Sequence, residues 1–314
     1  MSRPHAHMRY RRSVYRKRKI RIIVITTLCV IAALALLFIV IGNILGNKVA
    51  QRANDGSSKD KVTEVPHVTV KDVNAVSVLL EASGSTLDRR VSNAVSSGHT
   101  DLCFNIYGEN GALLYVSPTA QALGKQADVT GLRTLDNIVK IFAENGAYSI
   151  AILDATELES DNDLTRSAAI GYYAALSAEL LRAGVNEVLI SVGSIPLEQY
   201  GELITLSSEI HSLSPTKGLV GVSLPSDVFA GEQNEALVAS LWGAFDYLAV
   251  DLYSTLNYEG DIAGEIGAKL GSMLYHLLRY NVRALVPDVE DTALAASINE
   301  TALSNGVKSI QIMP

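Results

Sequence analysis

The sequence predicts an α/β protein: a (β/α)8 TIM barrel preceded by a single N-terminal transmembrane helix. Eight short apolar segments alternate with helical segments between residues 68 and 314, close to the roughly 250 residues typical of this barrel. The apolar segments are continuous rather than half polar, as expected of strands buried on both faces. An open doubly wound sheet is the alternative, but no predicted strand is followed by the GxGxxG turn that marks many such sheets.

The individual elements follow from apolar spacing and from the Gly, Asn, Asp and Ser residues between segments. Strands are predicted at Ala75–Leu80, Leu102–Ile106, Tyr148–Leu153, Val188–Val192, Leu219–Leu224, Tyr247–Asp251, Val282–Val286 and Val307–Ile312. Helices are predicted at Thr86–Ser97, Leu135–Glu144, Ser167–Arg182, Leu197–His211, Glu235–Trp242, Ala263–Tyr280 and Thr292–Ser304. After the second strand, the turn signal Glu109–Gly111 and the apolar Leu113–Val116 predict a short returning strand.

Residues 22–41 form an apolar run without charge, proline or glycine. Twenty residues at a rise of ~1.5 Å span the ~30 Å hydrocarbon core of a bilayer. Nine of the 26 Lys and Arg residues lie in residues 1–21, which contain no acid, and such a basic flank stays in the cytoplasm. A cleaved signal peptide is the alternative, although its apolar core is usually ~7–15 residues and a small-residue cleavage site follows it.

These features predict a single-pass protein of the cell membrane with an extracytoplasmic main domain. Residues 1–21 would form a basic cytoplasmic head, 22–45 the transmembrane helix, 46–67 a polar flexible linker and 68–314 the barrel domain. The last three segments together hold 17 basic and 33 acidic side chains, a net charge of −16. Nucleic acid is therefore excluded as a partner of the barrel, because phosphate binding needs a basic surface.

The sequence gives no sign of a cofactor, a metal site or a disulfide. The six histidines include no pair at the helical spacing of metal ligands. Cys29 falls in the predicted span and Cys103 in a predicted strand, so the two cannot pair. No GxSxG segment supports a serine hydrolase, and the sequence does not predict the oligomeric state.

Three acids are candidate catalytic residues because they lie at or just beyond the carboxyl ends of predicted strands, where barrel enzymes place their active sites. They are Glu81, Asp154 and Asp251. Hydrolysis of a glycosidic bond needs two such carboxyl groups, one protonated and one ionised. The alternative for each acid is a capping or loop role, because Asp and Glu are common where a strand leads into a helix.

Further residues near the same strand ends are candidates for binding a sugar. Tyrosine rings offer apolar area with a polar tip for stacking on sugar faces, and packing in the core or rim is the alternative. The candidate substrate-binding residues are Tyr107, Glu109, Ser191, Tyr253 and Tyr258.

Several segments resemble a family of glycoside hydrolase-like TIM-barrel domains formerly known as a domain of unknown function. The strongest resemblance is in FNIYGENGALLYVS (104–117) and LDNIVKIFAENGAYSIAILD (135–154). Weaker resemblance continues in NEVLISVGSIP (186–196), FDYLAVDLYSTLNY (245–258) and GVKSIQIMP (306–314). The resemblance implies a barrel related to polysaccharide hydrolases and often tethered outside bacterial cells.

The departures from this family fall on residues that the resemblance implies are catalytic. An acid is expected where the chain has Ser191, and arginines where it has Ile152 and Ser194. One hypothesis is therefore a vestigial, non-catalytic barrel that binds a cell-envelope glycan, such as a polysaccharide or peptidoglycan, or a protein partner. The second is an active glycosidase that uses the three acids named above, and the third is a structural envelope protein without a ligand.

Overall fold

The computed structural model describes residues 70–313, apart from 81–85, 109, 127, 161, 194–198, 215–217, 231, 253–255, 257–259, 281, 288–291, 306 and 308–309. The predicted cytoplasmic head, transmembrane helix and linker lie outside the described residues. Within the described part of the chain, no helix combines the length and the apolar character needed to cross a bilayer.

Eight parallel strands close into a barrel, which confirms the predicted α/β barrel in the described residues. The strands of the barrel are β1 (Asn74–Ser77), β2 (Asp101–Asn105), β5 (Tyr148–Asp154), β6 (Glu187–Ser191), β7 (Leu219–Pro225), β8 (Tyr247–Asp251), β9 (Arg283–Pro287) and β10 (Ile310–Met313). They follow one another around the barrel in this order, and β10 pairs with β1 to close the ring.

Two short strands outside the barrel, β3 (Tyr115–Val116) and β4 (Arg133–Thr134), pair in parallel. The predicted returning strand is therefore only partly correct. Leu113 does form an antiparallel bridge to Tyr107, but the two residues of β3 turn to a different partner.

Helices follow the strands on the outside of the barrel. They are α1 (Thr86–Ser96), α2 (Pro118–Ala122), α3 (Leu135–Glu144), α4 (Asp163–Ala183), α5 (Tyr200–Leu213), α6 (Glu235–Ala244), α7 (Ile262–Ser272), α8 (Leu274–Tyr280) and α9 (Thr292–Ser304). The longest, α4, begins where the Asn162 side chain accepts hydrogen bonds from the backbone N–H groups of Leu164 and Thr165. It ends at Gly184, whose φ of +107° favours glycine.

The prediction of one continuous helix from Ala263 to Tyr280 is wrong. The chain breaks at Met273, whose carbonyl accepts hydrogen bonds from the backbone N–H groups of both His276 and Leu277. Beyond the break, the buried His276 ring lies 2.7 Å from the carbonyl oxygen of Phe229 through its Nδ1 atom. This tertiary contact holds α8 against the segment that contains Phe229.

Each barrel strand has two buried faces, which explains the continuous apolar segments. In β6, Val188 and Ile190 belong to the outer core between the sheet and the helices. Leu189 belongs instead to a second cluster inside the barrel. Since side chains alternate along a strand, Glu187 and Ser191 face the interior with Leu189.

The amino-terminal end of the barrel interior is filled by an ion pair between Glu187 and Arg283, which are 0% and 1% exposed. The two Arg283 terminal nitrogens lie 2.5 and 3.1 Å from the Glu187 carboxylate oxygens. Tyr148 donates to the same carboxylate at 2.7 Å, and the guanidinium lies 3.8 Å from the centre of the Tyr247 ring. This polar plug closes one end of the barrel and leaves the opposite end as the place for a site.

Candidate functional site

The carboxyl-terminal end of the barrel interior is lined by a layer of short polar side chains. In each contributing strand, the polar residue lies two positions beyond an interior residue and therefore faces the barrel axis. We call this layer the mouth; its described members are Ser77, Asn105, Asp154, Ser191, Ser223 and Asp251.

The strand register places three of these residues side by side. Asp154 pairs with Ser191 across β5 and β6, and Ser191 pairs with Ser223 across β6 and β7. The Asp154 side chain is exposed and Ser191 is half-buried. Ser223 is fully buried, and its hydroxyl has no hydrogen-bond partner within the described part of the protein. Solvent exposure therefore decreases across these three strands, from the exposed Asp154 carboxylate to the buried Ser223 hydroxyl.

Asp251 lies on β8, three strands from Asp154 around the ring. With strands ~4.8 Å apart and tilted by about 36°, points three strands apart on an eight-stranded wall are about 14 Å apart. Two inward carboxylates would then be separated by roughly 8 Å. The two predicted acids thus lie across the mouth from each other rather than in contact.

Below the mouth, the interior residues are small on β7 and β8 and are large and apolar, Ile152 and Leu189, on β5 and β6. Ala249 lies below Asp251 on the same interior face of β8. Below Ser223 is Gly221, where an added Cβ would overlap the ring of Tyr247. The interior below the mouth is therefore packed, partly by the Tyr247 ring beside Gly221.

The other predicted site residues fall into two groups. Tyr107 is half-buried and donates a hydrogen bond to the Tyr172 hydroxyl at 3.2 Å. Burial, followed by this tyrosine contact, raises the pKa of Tyr107 well above its ordinary value of 10.0. The predicted residues that lie outside the described part of the chain are Glu81, Glu109, Ser194, Tyr253 and Tyr258.

The segment after β2 packs against α4 on the flank of the barrel. The Lys125 ammonium lies 2.6 Å from the Glu157 carboxylate and 4.4 Å from the centre of the Tyr172 ring. Farther along α4, Glu179 accepts hydrogen bonds from the Ser117 hydroxyl and the Thr119 backbone N–H. These contacts give Tyr107 and its segment a structural anchor that the sequence pattern did not predict.

Sequence reasoning missed Ser77, Asn105 and Ser223 as members of the mouth. Their signal was available, because each is a polar residue two positions after a small or apolar residue on the interior face of its strand. An acid at a strand end indicates catalytic chemistry, whereas serine and asparagine at strand ends are also common turn residues.

The described residues contain no group of three His, Cys, Asp or Glu side chains that could hold a metal ion. The mouth brings two carboxylates, three hydroxyls and one amide to a single layer. Such a set can accept and donate hydrogen bonds to a polyhydroxylated ligand and can attract positive charge.

No known family model matches the chain, and no curated protein matches it either. Solved structures do resemble it. A candidate α-L-fucosidase from Bacteroides thetaiotaomicron superposes with a TM-score of 0.53 at 12% identity, over 82% of this chain and 89% of that one. The catalytic domain of β-amylase from Paenibacillus polymyxa superposes with a TM-score of 0.52 at 8% identity, over 78% of this chain and 93% of that one. At these identities the likeness establishes a shared barrel fold.

Proposed function

We propose that this protein is a membrane-anchored, extracytoplasmic barrel that binds a cell-envelope glycan at its mouth without hydrolysing it. The observation that carries the proposal is the polar layer at the carboxyl ends of the strands. Binding sites in this fold lie at that end of the barrel. The similarity in fold to carbohydrate-active enzymes supports a sugar as the ligand.

The absence of hydrolysis is inferred from two positions where the family resemblance implies catalytic groups. Ser191 faces the mouth where an acid is expected, and a hydroxyl flanked by Asp154 and Ser223 cannot replace a carboxyl group as acid or base at neutral pH. Ile152 is 3% exposed within the apolar interior, where an arginine is expected.

An active glycosidase is the second candidate, and the placement of Asp154 and Asp251 favours it. Two carboxyl groups on opposite sides of one mouth can serve as the acid and the base of glycoside hydrolysis. If the protein is active, these two acids would be its catalytic pair.

A panel of cell-wall and storage glycans separates the two candidates. The barrel segment Val65–Pro314, which forms one compact unit, is tested for binding and for release of reducing ends. The binding proposal predicts retention of at least one envelope glycan with no release of sugar. Turnover that disappears in Asp251→Asn would refute the non-catalytic proposal, and failure to bind any glycan would refute both candidates.

The proposed location rests on the apolar run at residues 22–41 and its basic flank. We expect the full chain to fractionate with membranes and to resist extraction by alkaline carbonate. Protease added outside intact cells should remove the barrel and spare the cytoplasmic head. Recovery of the full chain in the soluble fraction would contradict the anchor.

A further inference from the structure

We propose that the folded protein deamidates at Asn110, in the turn that follows β2, and that the turn itself assists the reaction. Deamidation converts the side-chain amide to a carboxyl group and needs only water. The inference is independent of the proposed glycan binding. It follows from the different surroundings of the Asn–Gly pairs of this chain.

The chain contains three Asn–Gly pairs, which are Asn110–Gly111, Asn145–Gly146 and Asn305–Gly306. The first two lie in the same four-residue sequence, Glu-Asn-Gly-Ala. Glycine has no Cβ, so its backbone nitrogen can approach the preceding asparagine side chain closely. The local sequence therefore marks the first two pairs as equally reactive, and only the fold can distinguish them.

Two of the three asparagines are held at the ends of helices. At the end of α3, the Asn145 Nδ2 donates to the Ile141 carbonyl at 2.9 Å, and the Asn145 backbone N–H donates to the same carbonyl at 3.3 Å. Just after α9, the Asn305 Nδ2 donates to the Thr301 carbonyl at 2.8 Å. Both residues are half-buried. In each pair, the nitrogen that must leave as ammonia is tied to a helix, so the helix end must open before the reaction.

Asn110 lies instead in a tight turn on the surface. Asn110, Gly111 and Ala112 are all exposed. The Asn110 Oδ1 accepts a hydrogen bond from the Ala112 backbone N–H at 3.1 Å, and no described residue accepts one from its Nδ2 group. The Gly111 N–H donates to the Gly108 carbonyl at 2.8 Å, where solvent can replace this contact. The attacking nitrogen and the leaving nitrogen are therefore both accessible.

The hydrogen bond from Ala112 has a chemical consequence. Hydroxide removes the Gly111 amide proton, and the nitrogen attacks the Asn110 Cγ atom, so that the C=O electron pair moves to Oδ1. The Ala112 N–H already lies 3.1 Å from this oxygen, within the range of about 2.7–3.1 Å for oxyanion donors. The oxygen then re-forms its double bond and expels Nδ2, which takes a proton from water and departs as ammonia. Water opens one of the two C–N bonds of the resulting cyclic imide and yields aspartate or isoaspartate.

The product changes the turn at the end of β2. The Gly108 N–H donates to the Ala112 carbonyl at 2.9 Å across this turn, and Tyr107 and Leu113 form an antiparallel bridge beside it. Either product adds a negative charge. Isoaspartate also inserts an extra methylene group into the main chain, so the aged protein should lose the register of this bridge.

Peptide mapping by mass spectrometry tests the proposal. The purified full chain in detergent is incubated at mildly alkaline pH in heavy-oxygen water, which labels only the carboxyl groups formed during incubation. We expect Asn110 to react at least about tenfold faster than Asn145, because the hydrogen bonds that hold Asn145 add to the cost of opening. In concentrated urea the two sites should react at similar rates, since their local sequences are identical.

Two substitutions at one position test the role of the turn. Ala112→Pro removes the backbone N–H that faces Oδ1 and should slow the reaction at Asn110 by about three- to tenfold, the effect of one hydrogen bond. Ala112→Ser keeps this N–H and should leave the rate unchanged. Neither substitution should alter the rate at Asn145, and the melting temperature of each variant shows whether the fold is retained.

Two results would overturn the proposal. One is equal reaction of Asn110 and Asn145 in the folded protein. The other is an unchanged rate at Asn110 in a folded Ala112→Pro variant. If that variant does not fold, the comparison of the two identical sequences in the unaltered chain decides the matter, and faster reaction at Asn110 that disappears in urea supports the proposal.

Discussion

Replacing Glu187 with glutamine should destabilise the barrel strongly while preserving its shape. The substitution leaves the Arg283 guanidinium, 1% exposed, without a negative partner in the barrel interior. Removing one member of a buried ion pair typically costs about 3–5 kcal/mol. That is a large part of the roughly 5–15 kcal/mol that holds most domains together.

The structure also indicates what would relieve the loss. Arg283 donates to the Lys71 carbonyl at 2.9 Å as well as to Glu187, and Lys71 lies near solvent, where water can replace this donor. The double variant Glu187→Gln with Arg283→Met removes the buried charge and retains an acceptor for the Tyr148 hydroxyl. It should therefore recover at least about 2 kcal/mol relative to the single variant.

Urea unfolding of Val65–Pro314, followed by the fluorescence of the single tryptophan, Trp242, measures these differences. Trp242 packs at 5.8 Å from the Tyr280 ring and should report loss of the helical layer. A cost below about 1 kcal/mol for Glu187→Gln would refute the reasoning. So would a double variant that is no more stable than the single one.

Two further predictions concern the same end of the barrel. Gly221→Ala should destabilise the fold by more than about 2 kcal/mol, because its Cβ would overlap the Tyr247 ring; thermal unfolding measures the loss. His211 should make stability depend on pH. The Asp246 carboxylate raises the pKa of His211 above 6.5. The contribution of this ion pair to the free energy of unfolding is therefore fully present below pH 6.5 and is lost as the pH rises through the folded-state pKa. The effect should stay below about 1 kcal/mol, because the side chain is partly exposed, and His211→Gln should abolish it in urea unfolding across pH.

Matched controls make these outcomes specific. An added Cβ at Gly171, within α4, meets no atom within 4 Å, so Gly171→Ala should stabilise by about 0.5–1 kcal/mol. If it destabilises as much as Gly221→Ala, the clash with Tyr247 is not the cause. For the pH experiment, His99→Gln changes an exposed histidine. An unchanged pH slope in His211→Gln would contradict the assigned ion pair.

The sequence predicted the architecture well where local and global signals agree. The helices Leu135–Glu144 and Thr292–Ser304 and the strand Tyr247–Asp251 have the predicted bounds. Each combines a regular apolar period with a clear boundary residue, and α3 is capped by the Thr134 side chain. Burial of both strand faces then made the barrel recognisable from continuous apolar segments.

Other features depend on contacts between distant residues and could not be predicted locally. The break at Met273 interrupts a helical period that continues unbroken in the sequence, and the Gly271 nearby is a weak signal. The ion pair of Glu187 and Arg283 joins residues 96 positions apart. Opposite charges at the first positions of two apolar strands were its only sequence sign, and surface charges commonly occupy such positions.

The sequence predicted which end of the barrel carries the candidate site better than it predicted the individual residues of that site. Asp154, Ser191 and Asp251 reach the same layer because the carboxyl ends of parallel strands meet there. The burial of Ser223 depends on how its neighbours pack, which apolar spacing does not encode. Tyr107 was predicted to bind substrate, but its hydroxyl contacts Tyr172 because the whole segment after β2 packs on α4.

Closure of the barrel between β1 and β10 has a consequence for folding during synthesis. Asn74 pairs with Ile310, 236 residues later, so β1 has an unpaired edge until nearly the whole barrel has been made. Contacts of such large sequence separation form slowly, and open strand edges invite pairing with other chains. Until β10 has been made and paired, the unfinished barrel must be kept from other unfolded chains. Loss of β10 would expose the edges of both β1 and β9 at once.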